Sequence, residues 1–360
     1  MSSIISIDKV YKPSKFNLIF ESNGQNLLFN SYRGIKSIHK VSIKNKEKVL
    51  LLLSSNSIVY YDDNLLNYLI EKGFIVPQDV DEDLLREKLM EEVCGKNHLH
   101  LLVYVTNNCN FRCKYCALDF SAETIQNDTK EGIIEFIRKN INNYSGVTID
   151  WFGGEPTLEI NSIKYISQKV QEICRKAKKP YSGLITTNGY LLTPENVSIL
   201  VESNVLEYMV TIDGVKQTHD NQRILKNGGG TFDKIIKNLL WMKDNIKSKT
   251  LNIVIRTNMT REIFRNLDSY YTVFNNLFGD DNRFSLFVRP ASDWGGERVK
   301  SFHNSLLDDN ELKKMYKSVF EHTHGMLFER NIGDIDIASA TCSAAYKNKF
   351  TVGINGDVYK

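Results

Sequence analysis

Short apolar runs of strand character alternate with longer helical patterns from about residue 101 onward. The runs predicted as strands are 101–105, 147–151, 184–187, 208–212, 251–257 and 284–288. The segments between the first three predicted strands contain predicted helices at 132–141 and 164–176. This alternation is typical of an α/β fold with parallel β/α units. Because six units are fewer than the eight that close a full barrel, the pattern predicts an open, partial (β/α)6 TIM-like barrel.

Polar or glycine-rich sequence follows each of the first four predicted strands. A cysteine-bearing loop follows the first strand, and Asn188-Gly189 follows the third. The segments after the second and fourth strands are Gly153-Gly154-Glu155-Pro156 and Asp213-Gly214. In parallel β/α barrels the carboxyl ends of the strands carry the active site. The pattern therefore predicts that these segments meet at one site.

The first 96 residues follow a different pattern. Short strands are predicted at 17–20 and 27–29 around Asn23-Gly24, which is a hairpin signal. They are followed by an apolar segment at 46–53 for which a helix is one interpretation, a helix at 64–71 and a strand at 73–76. These elements predict a compact α+β module of winged-helix type. A polar helix at 81–93 would connect it to the barrel.

Length and composition are those of a globular protein with more than one domain. The chain has 360 residues, of which 42% are hydrophobic and 25% charged. We predict three parts: an N-terminal recognition module with its linker helix at 1–96, the barrel at 97–300, and connecting helices with a C-terminal segment at 301–360. The net charge of +3 argues neither for nor against nucleic acid, and no run reaches the length of a membrane span.

The cysteine loop is the strongest chemical signal. Cys109, Cys113 and Cys116 form a C-x3-C-x2-C spacing that brings three thiolates together on one loop. Four cysteines supply a protein ligand to every iron of an iron-sulfur cluster, so three cysteines suit a cluster in which one iron has no protein ligand. Zinc, the other interpretation, usually takes four protein ligands, and only His98 and His100 lie near in sequence. Six cysteines and no apolar signal segment predict a reducing, cytoplasmic location rather than disulfides.

The ordered set of motifs resembles the radical S-adenosylmethionine (SAM) enzymes. The motifs are the cysteine loop ending in Tyr115-Cys116, the Gly-Gly-Glu-Pro segment, Thr187-Asn188-Gly189, Thr211-Ile212-Asp213-Gly214 and His219-Asp220-x2-Arg223. More narrowly, the sequence resembles the branch that modifies peptides and proteins and carries a C-terminal SPASM domain. The match is strong over about 101–232 and weakens toward residue 287.

This resemblance implies a [4Fe-4S] cluster on the three loop cysteines, with SAM chelating the fourth iron. Reductive cleavage of SAM would then yield a 5′-deoxyadenosyl radical that abstracts hydrogen from the substrate, with the protein supplying aim and exclusion of water. The implied roles of individual residues are the following. Gly153, Gly154, Glu155 and Pro156 hold the methionine amino group, Thr211 and Arg223 bind the carboxylate, Tyr115 lies beside the adenine, and Asn188 and Asp213 lie near the ribose. His219 reads as a structural histidine.

The C-terminal segment resembles the opening of a SPASM domain. Cys342 precedes a predicted strand-turn-strand pattern. Gly356 lies in the predicted turn and is followed by four more residues, the last of which is Lys360. In the SPASM pattern a second cysteine would come next, at the position after Lys360. We therefore expect a SPASM segment cut short, in a fragment or a truncated protein. Cys342 would be one ligand of an auxiliary cluster, and auxiliary [4Fe-4S] clusters would form only with the missing part present.

Three functions remain open. The first is a maturase that forms a thioether or related cross-link in a ribosomally made precursor peptide, gripped by the N-terminal module through strand addition. The second is an anaerobic sulfatase-type maturase, which makes formylglycine from Cys or Ser. The third is a non-catalytic iron-sulfur protein that senses redox state and binds DNA, which the helix at 64–71 does not favour because it has no Arg or Lys. Either enzyme would need a low-potential electron donor of flavodoxin or ferredoxin type.

Overall fold

The computed structural model describes residues 9–22, 24–34, 37–295, 300, 302–322, 326–327, 330–331 and 343–360. By its internal contacts the chain divides into two units, which are described separately. One contains residues 1–96 with 330–347, and the other contains 97–329 with 348–360. The three-part division predicted from the sequence stays a prediction.

The first unit is an α+β module. Its strands are β1 (Val10–Pro13), β2 (Asn17–Ser22), β3 (Gln25–Asn30), β4 (His39–Val41), β5 (Ile58–Val59) and β6 (Ile75–Pro77). Its helices are α1 (Ile43–Ser54), α2 (Asn64–Glu71) and α3 (Glu82–Cys94). The strands form two antiparallel sheets, ordered β2-β3-β4 and β5-β1-β6.

A single apolar cluster holds this unit together. Leu28, Val49, Leu66 and Phe74 are among its buried members, and they come from sheets and helices alike. Helix α2 begins where the Asp63 carboxylate accepts hydrogen bonds from the first-turn amides, as an N-cap does. The predicted hairpin is confirmed by the pairing of β2 with β3, although its turn residue 23 lies outside the described residues.

One local prediction in this unit is confirmed and another changes. The apolar segment at 46–53 is helical, as its helical interpretation predicted, and belongs to α1. The strand predicted at 73–76 begins only at Ile75, because Gly73 adopts φ 76° in the turn that follows the α2 cap residue Lys72.

The second unit is built on an eight-stranded sheet. Its first six strands are β7 (Leu99–Thr106), β8 (Val147–Gly153), β9 (Tyr181–Thr187), β10 (Val205–Thr211), β11 (Asn252–Met259) and β12 (Phe284–Pro290). The later strands of this unit are β13 (Met326–Leu327), β15 (Lys349–Val352) and β16 (Val358–Tyr359), whereas β14 (Arg330–Asn331) belongs to the first unit. The sheet order is β12-β11-β10-β9-β8-β7-β15-β16, and the first six strands run parallel. The partial (β/α)6 architecture is confirmed.

The helices of this unit connect the strands. They are α4 (Asn127–Asn140), α5 (Ile160–Lys176), α6 (Pro194–Glu202), α7 (Lys216–Gln222), α8 (Phe232–Asn245), α9 (Arg261–Arg265), α10 (Leu267–Phe278) and α11 (Asp309–His322). Helix α5 starts four residues before its predicted start, immediately after a short 3₁₀ turn at Pro156–Glu159. Among the described residues, no helix combines the length and apolar content needed to cross a bilayer.

Residues along the central strands alternate between two faces of the sheet. In β7 and β8 every second side chain, such as Val103 and Ile149, is fully buried. The residues between them, such as Tyr104 and Asp150, are only partly buried. This period of two gives the sheet one closely packed face and one more open face. Functional side chains at the strand ends can therefore project on the open face.

The C-terminal segment adds two strands that the barrel prediction did not include. Strand β15 pairs in parallel with β7, from Lys349 opposite His100 to Val352 opposite Val103. Strand β16 returns antiparallel to β15, with Gly356 at φ 88° in the turn. The predicted strand-turn-strand is thus present. Cys342, predicted as an auxiliary-cluster ligand, lies outside the described residues.

Candidate active site

The three loop cysteines face one cavity at the carboxyl ends of the strands. The cavity has a volume of about 270 Å³, and Cys109, Cys113 and Cys116 all line it. Cys109 and Cys113 are buried, whereas Cys116 is half-buried. Gly153, Gly154, Glu155 and Asn188 line the same cavity, so the segments predicted after the first three strands meet there.

Backbone hydrogen bonds fix the cysteine loop from both sides. The amides of Arg112 and Lys114 donate to the carbonyls of Ile224 and Gln222, at 2.8 and 3.0 Å. The amide of Glu155 donates to the carbonyl of Asn108 at 2.8 Å. These contacts join the loop to the segment that follows β8, to the last residue of α7 and to the segment after that helix.

Two glycines allow the end of β8 to touch the loop. A Cβ atom on Gly153 would lie 2.3 Å from the carbonyl oxygen of Thr106, and φ at this residue is 134°. A Cβ atom on Gly154 would lie 2.2 Å from the carbonyl oxygen of Asn108. Real Cβ atoms do not approach backbone oxygens so closely, so only glycine fits at these positions.

The thiols lie in surroundings that favour their protonated form. Burial raises the pKa of Cys109 to about 11 and that of Cys113 to about 12, while the positive charge of Arg223 acts in the opposite direction. A metal ligand must be a thiolate, so binding of a metal or cluster would release protons.

Glu155 is a buried carboxylate with a full set of donors. Its Oε1 atom accepts hydrogen bonds from the hydroxyls of Thr157 and Thr187, at 2.5 and 2.6 Å, and from the amide of Thr157 at 3.1 Å. Its Oε2 atom accepts one from the amide of Asn188 at 2.7 Å. Burial raises the pKa of this carboxyl despite these donors. The network joins the ends of β8 and β9 directly beneath the cavity.

Tyr115 is held in place by its hydroxyl group. The hydroxyl donates to the Asp213 carboxylate and accepts from Arg223 Nη1 at 2.6 Å and from Asn258 Nδ2 at 3.1 Å. Burial holds the pKa of Tyr115 well above its usual value, so the side chain is a neutral phenol. The guanidinium of Arg223 also lies 5.5 Å from the centre of the Phe111 ring.

His219 is hydrogen-bonded to the backbone of Asp213, a member of this network. Its Nδ1 atom accepts from the amide of Asp213 at 3.1 Å, and its Nε2 atom lies 3.1 Å from the Thr231 hydroxyl. Because Nδ1 is an acceptor, the ring proton belongs on Nε2. The ring is fully buried, and burial lowers its pKa well below the usual value. These contacts agree with the interpretation of His219 as a structural histidine.

Most of the predicted SAM-contacting residues line the cavity, and two do not. Those that line it, besides the cysteines, are Tyr115, Gly153, Gly154, Glu155, Asn188, Thr211 and Arg223. Pro156 is instead buried at the start of the 3₁₀ turn after β8. Asp213 is also fully buried, and its carboxylate reaches the cavity only through Tyr115 and Asn258.

Several lining residues were not identified from the sequence. Among them are Phe120, Phe152, Arg256, Asn258 and Trp294. Phe152, Arg256 and Asn258 lie near the ends of β8 and β11 at partly buried positions of the alternating pattern. Strand periodicity could have indicated these three. No comparable signal marked Trp294, which is 79% exposed and follows β12.

The site fits a cluster better than a zinc ion. His98 and His100, the histidines considered as zinc ligands, lie at the start of β7, about 20 Å along the strand from the loop. His98 Nε2 is already 2.8 Å from the Thr148 hydroxyl. Among the described residues, no three His, Cys, Asp or Glu side chains gather closely enough to hold one ion. Three thiols around one cavity match a larger group.

Comparison with known proteins gives the same assignment. Residues 103–269 match the model of the radical SAM superfamily. The radical SAM cyclopropyl synthase TigE of Paramaledivibacter caminithermalis is 27% identical over 269 residues, which cover 66% of this chain and 56% of TigE. The cysteine-type anaerobic sulfatase-maturating enzyme of Clostridium novyi is 28% identical over 52% of this chain and 50% of its own length. The chain thus spans about half the length of these relatives.

Two solved structures share the fold. The structure of anSMEcpe with bound AdoMet and a peptide superposes with a TM-score of 0.56 at 22% identity, covering 73% of each chain. SuiB of Streptococcus suis, bound to SAM, superposes with a TM-score of 0.51 at 15% identity, covering 96% of this chain and 82% of SuiB.

Members of the radical SAM superfamily use a [4Fe-4S] cluster and SAM. This chain has a partial barrel whose first strand is followed by a loop with three cysteines. Residues 103–269 of this chain are therefore a radical SAM domain.

Proposed function

We propose that this chain is a radical SAM maturase of ribosomally made precursor peptides. In this proposal Cys109, Cys113 and Cys116 hold a [4Fe-4S] cluster, and SAM occupies the rest of the cavity. A bound cluster and SAM would supply a 5′-deoxyadenosyl radical that takes one hydrogen atom from a peptide carbon. A thioether or related cross-link would then form with release of a proton from the cysteine thiol and of one electron, which would return to the oxidised cluster. The observation that supports this most directly is the convergence of three thiols, two obligatory glycines and a buried arginine on one cavity.

The residues of the cavity have distinct tasks in this proposal. Thr211 and Arg223 bind the SAM carboxylate, for which a planar guanidinium is well suited. Gly153 and Gly154 let the backbone approach the amino group closely. Tyr115 borders the adenine, with Asp213 positioning its hydroxyl rather than contacting SAM. Pro156 likewise acts as a positioning residue, because it initiates the turn that carries the Glu155 network.

The first unit offers a place for the peptide. In the described part of the sheet β2-β3-β4, strand β4 has a paired neighbour on one side only. A groove of about 530 Å³ runs beside β4 and is lined by Leu28, Val49 and Leu69 from the apolar cluster. Lys40 and Lys48 also line this groove. We propose that a precursor peptide adds to β4 as a further strand and places apolar side chains in this groove.

The sulfatase-type alternative rests on a specific similarity. The chain resembles a cysteine-type anaerobic sulfatase-maturating enzyme at 28% identity, which is close to its identity with TigE. The barrel alone does not separate the two reactions. The β4 groove favours the peptide maturase, because it provides a peptide site outside the barrel.

The test is formation of 5′-deoxyadenosine after anaerobic reconstitution with iron, sulfide, SAM and dithionite, which replaces the proposed flavodoxin- or ferredoxin-type donor. We expect product from the parent and none from the Cys109→Ala, Cys113→Ala, Cys116→Ala variant. A Cys94→Ala, Cys174→Ala variant is the matched control, because both of these buried thiols lie outside the cavity. Mass spectrometry quantifies the nucleoside.

A second arm identifies the reaction. Candidate precursor peptides encoded by neighbouring small reading frames are added, and each peptide is examined for mass loss and cross-links. A peptide that loses two hydrogens and gains a cross-link supports the maturase. Conversion of a Cys or Ser side chain to formylglycine supports the alternative instead. A loaded parent that forms neither nucleoside nor modified peptide with any member of the panel contradicts the proposal.

A further inference from the structure

Arg256 is a cavity residue whose charge has no anionic partner among the described residues. It lies on β11 directly opposite Thr211 of β10, and it lines the cavity with Arg223. The one hydrogen bond that its side chain makes within the described part of the chain runs from Nε to Asn258 Oδ1, at 3.3 Å. Neither terminal nitrogen of the guanidinium donates to a described residue.

Burial has the largest effect on Arg256 and lowers its pKa. Tyr115 and Asp213 raise the pKa, and the charges of Arg289 and Arg223 lower it. Glu155 is the one acidic residue among the described residues that line the cavity, and its carboxylate already accepts four hydrogen bonds. A partly buried cation in this position gains from a bound anion, because only one hydrogen bond and the more distant Asp213 carboxylate offset its loss of hydration.

The Asp213 carboxylate does not provide that anion. One of its oxygens receives the Tyr115 hydroxyl, and the other receives the amide of Asn258 at 2.8 Å. Arg223 lies 3.9 Å from the first oxygen, so the nearest ion pair in the network already belongs to a different arginine. The cavity therefore contains two arginines, and one carboxylate of SAM satisfies only one of them.

We propose that Arg256, together with Asn258, binds a carboxylate of the substrate beside SAM. This inference rests on the proposed function and adds a substrate class to it: a peptide that presents an Asp or Glu side chain, or its own C-terminal carboxylate, at the reacting position. The planar guanidinium can donate two parallel hydrogen bonds to such a group, and the Asn258 amide lies beside it.

Three small probes test the proposal on the reconstituted protein with saturating SAM and no reductant. N-acetylglutamate N-methylamide presents a side-chain carboxylate, and N-acetylglutamine presents a C-terminal one. N-acetylglutamine N-methylamide is the neutral reference. Their affinities are measured by saturation-transfer NMR titration. We expect one acidic probe to bind about tenfold more tightly than the neutral probe, as a charge-assisted pair predicts.

Substitutions then test whether Arg256 causes the preference for the acidic probe. Arg256→Gln should bring the acidic and neutral probes to equal affinity, and Arg256→Lys should restore part of the preference. Arg289→Gln is the matched control, because it removes an exposed positive charge that acts on Arg256 without lining the cavity. We expect this control to keep most of the preference.

Three results would overturn the proposal. The first is equal affinity of the parent for the acidic and neutral probes, and the second is an unchanged preference for the acidic probe in Arg256→Gln. The third is a loss of SAM affinity in Arg256→Gln as large as its loss of affinity for the acidic probe. The last result would assign Arg256 to the SAM carboxylate. Formation of 5′-deoxyadenosine is measured on the same samples with dithionite. Absence of the nucleoside from the parent would contradict the proposed function, whereas the probe affinities report on Arg256 alone.

Discussion

At the scale of single residues, buried polar groups separate into satisfied and unsatisfied sets. The Glu155 carboxylate and the His219 ring both have partners on each side, so they fix the geometry of the site. Asp150, on the more open face of β8, is different. Its Oδ1 atom is buried without a hydrogen-bond partner among the described residues. Burial raises the pKa of this carboxyl from 3.8 to about 6, with Lys349 opposing and Glu207 reinforcing the shift.

This pKa predicts a pH-dependent stability. The folded state holds the Asp150 proton more tightly than the unfolded state, so its contribution is complete below pH 3.8 and is lost as the pH rises through about 6. A shift of about two units corresponds to about 3 kcal/mol. Asp150→Asn should therefore gain up to that much free energy of unfolding over the parent between about pH 4 and pH 7. Urea unfolding across this range checks the prediction.

Asp244→Asn is the matched control, because Asp244 is exposed on α8. Asp244→Asn measures how removal of an exposed carboxylate affects the free energy of unfolding, and Asp150→Asn is compared with it at each pH. A difference between Asp150→Asn and the parent that does not change with pH would show that Asp150 has the same pKa in the folded and unfolded states, which would contradict the prediction.

At the scale of elements, the site depends on contact between the end of β8 and the cysteine loop. The contact is one of backbone against backbone: the Gly154 amide donates to the carbonyl of Thr106 at 2.8 Å. The space between the two segments admits no side-chain carbon. The glycines are thus required by the position of the loop as well as by any ligand.

Gly154→Ala should displace the loop and impair cluster assembly. The added methyl group would lie 2.2 Å from the Asn108 oxygen, and relief of such an overlap costs about 1–3 kcal/mol. We expect iron and sulfide content after reconstitution to fall to a minor fraction of the parent value, together with the visible absorption of the cluster. Chemical analysis of both elements provides the measurement.

Gly132→Ala supplies the comparison for this variant. Gly132 lies in α4, where a Cβ atom would meet nothing within 4 Å. This substitution should leave cluster content unchanged and raise helix stability by about 0.5–1 kcal/mol. Full cluster content in Gly154→Ala would mean that the loop reaches its position by another route.

At the scale of the whole chain, the C-terminal hairpin completes the sheet. Strand β15 covers the edge of β7 that would otherwise be exposed, and Val352 and Ile354 are each 6% exposed. The Thr129 hydroxyl donates to the carbonyl of Ile354 at 3.0 Å, which joins the hairpin to α4. The first strand of the barrel thus depends on residues almost 250 positions later for its second neighbour.

Deletion of residues 348–360 should destabilise the second unit and promote association. Loss of two buried aliphatic side chains alone costs about 3 kcal/mol or more, and an uncovered strand edge invites pairing with other chains. Size-exclusion chromatography with light scattering would detect the association, and urea unfolding the loss of stability.

A shorter deletion, residues 357–360, keeps β15 and removes the exposed strand β16. Val358 is 61% exposed and Tyr359 is 56% exposed, so this change should cost under about 1 kcal/mol. If the longer deletion behaves like the shorter one, the pairing of β15 with β7 contributes little to the unit.

The sequence alone determined the local elements and the chemistry of the loop. The short apolar runs predicted all six parallel strands, because the strands of a sheet covered by helices are apolar and alternate with helical patterns along the chain. The C-x3-C-x2-C spacing brought three thiols onto one loop, since chain connectivity forces that proximity. For Gly153 and Gly154 the sequence predicted close approach to a ligand, and their contact with the cysteine loop is seen only in the structure.

Tertiary structure alone decided which side chains meet across the chain. It put Arg256 in the cavity, placed Asp213 and Pro156 behind it, and gave β7 a parallel partner from the C-terminus. These relations join residues far apart in sequence, and local periodicity does not encode which distant segments become neighbours. They follow from the packing of helices on the sheet and from the register of adjacent strands, which fix the direction and burial of each side chain together.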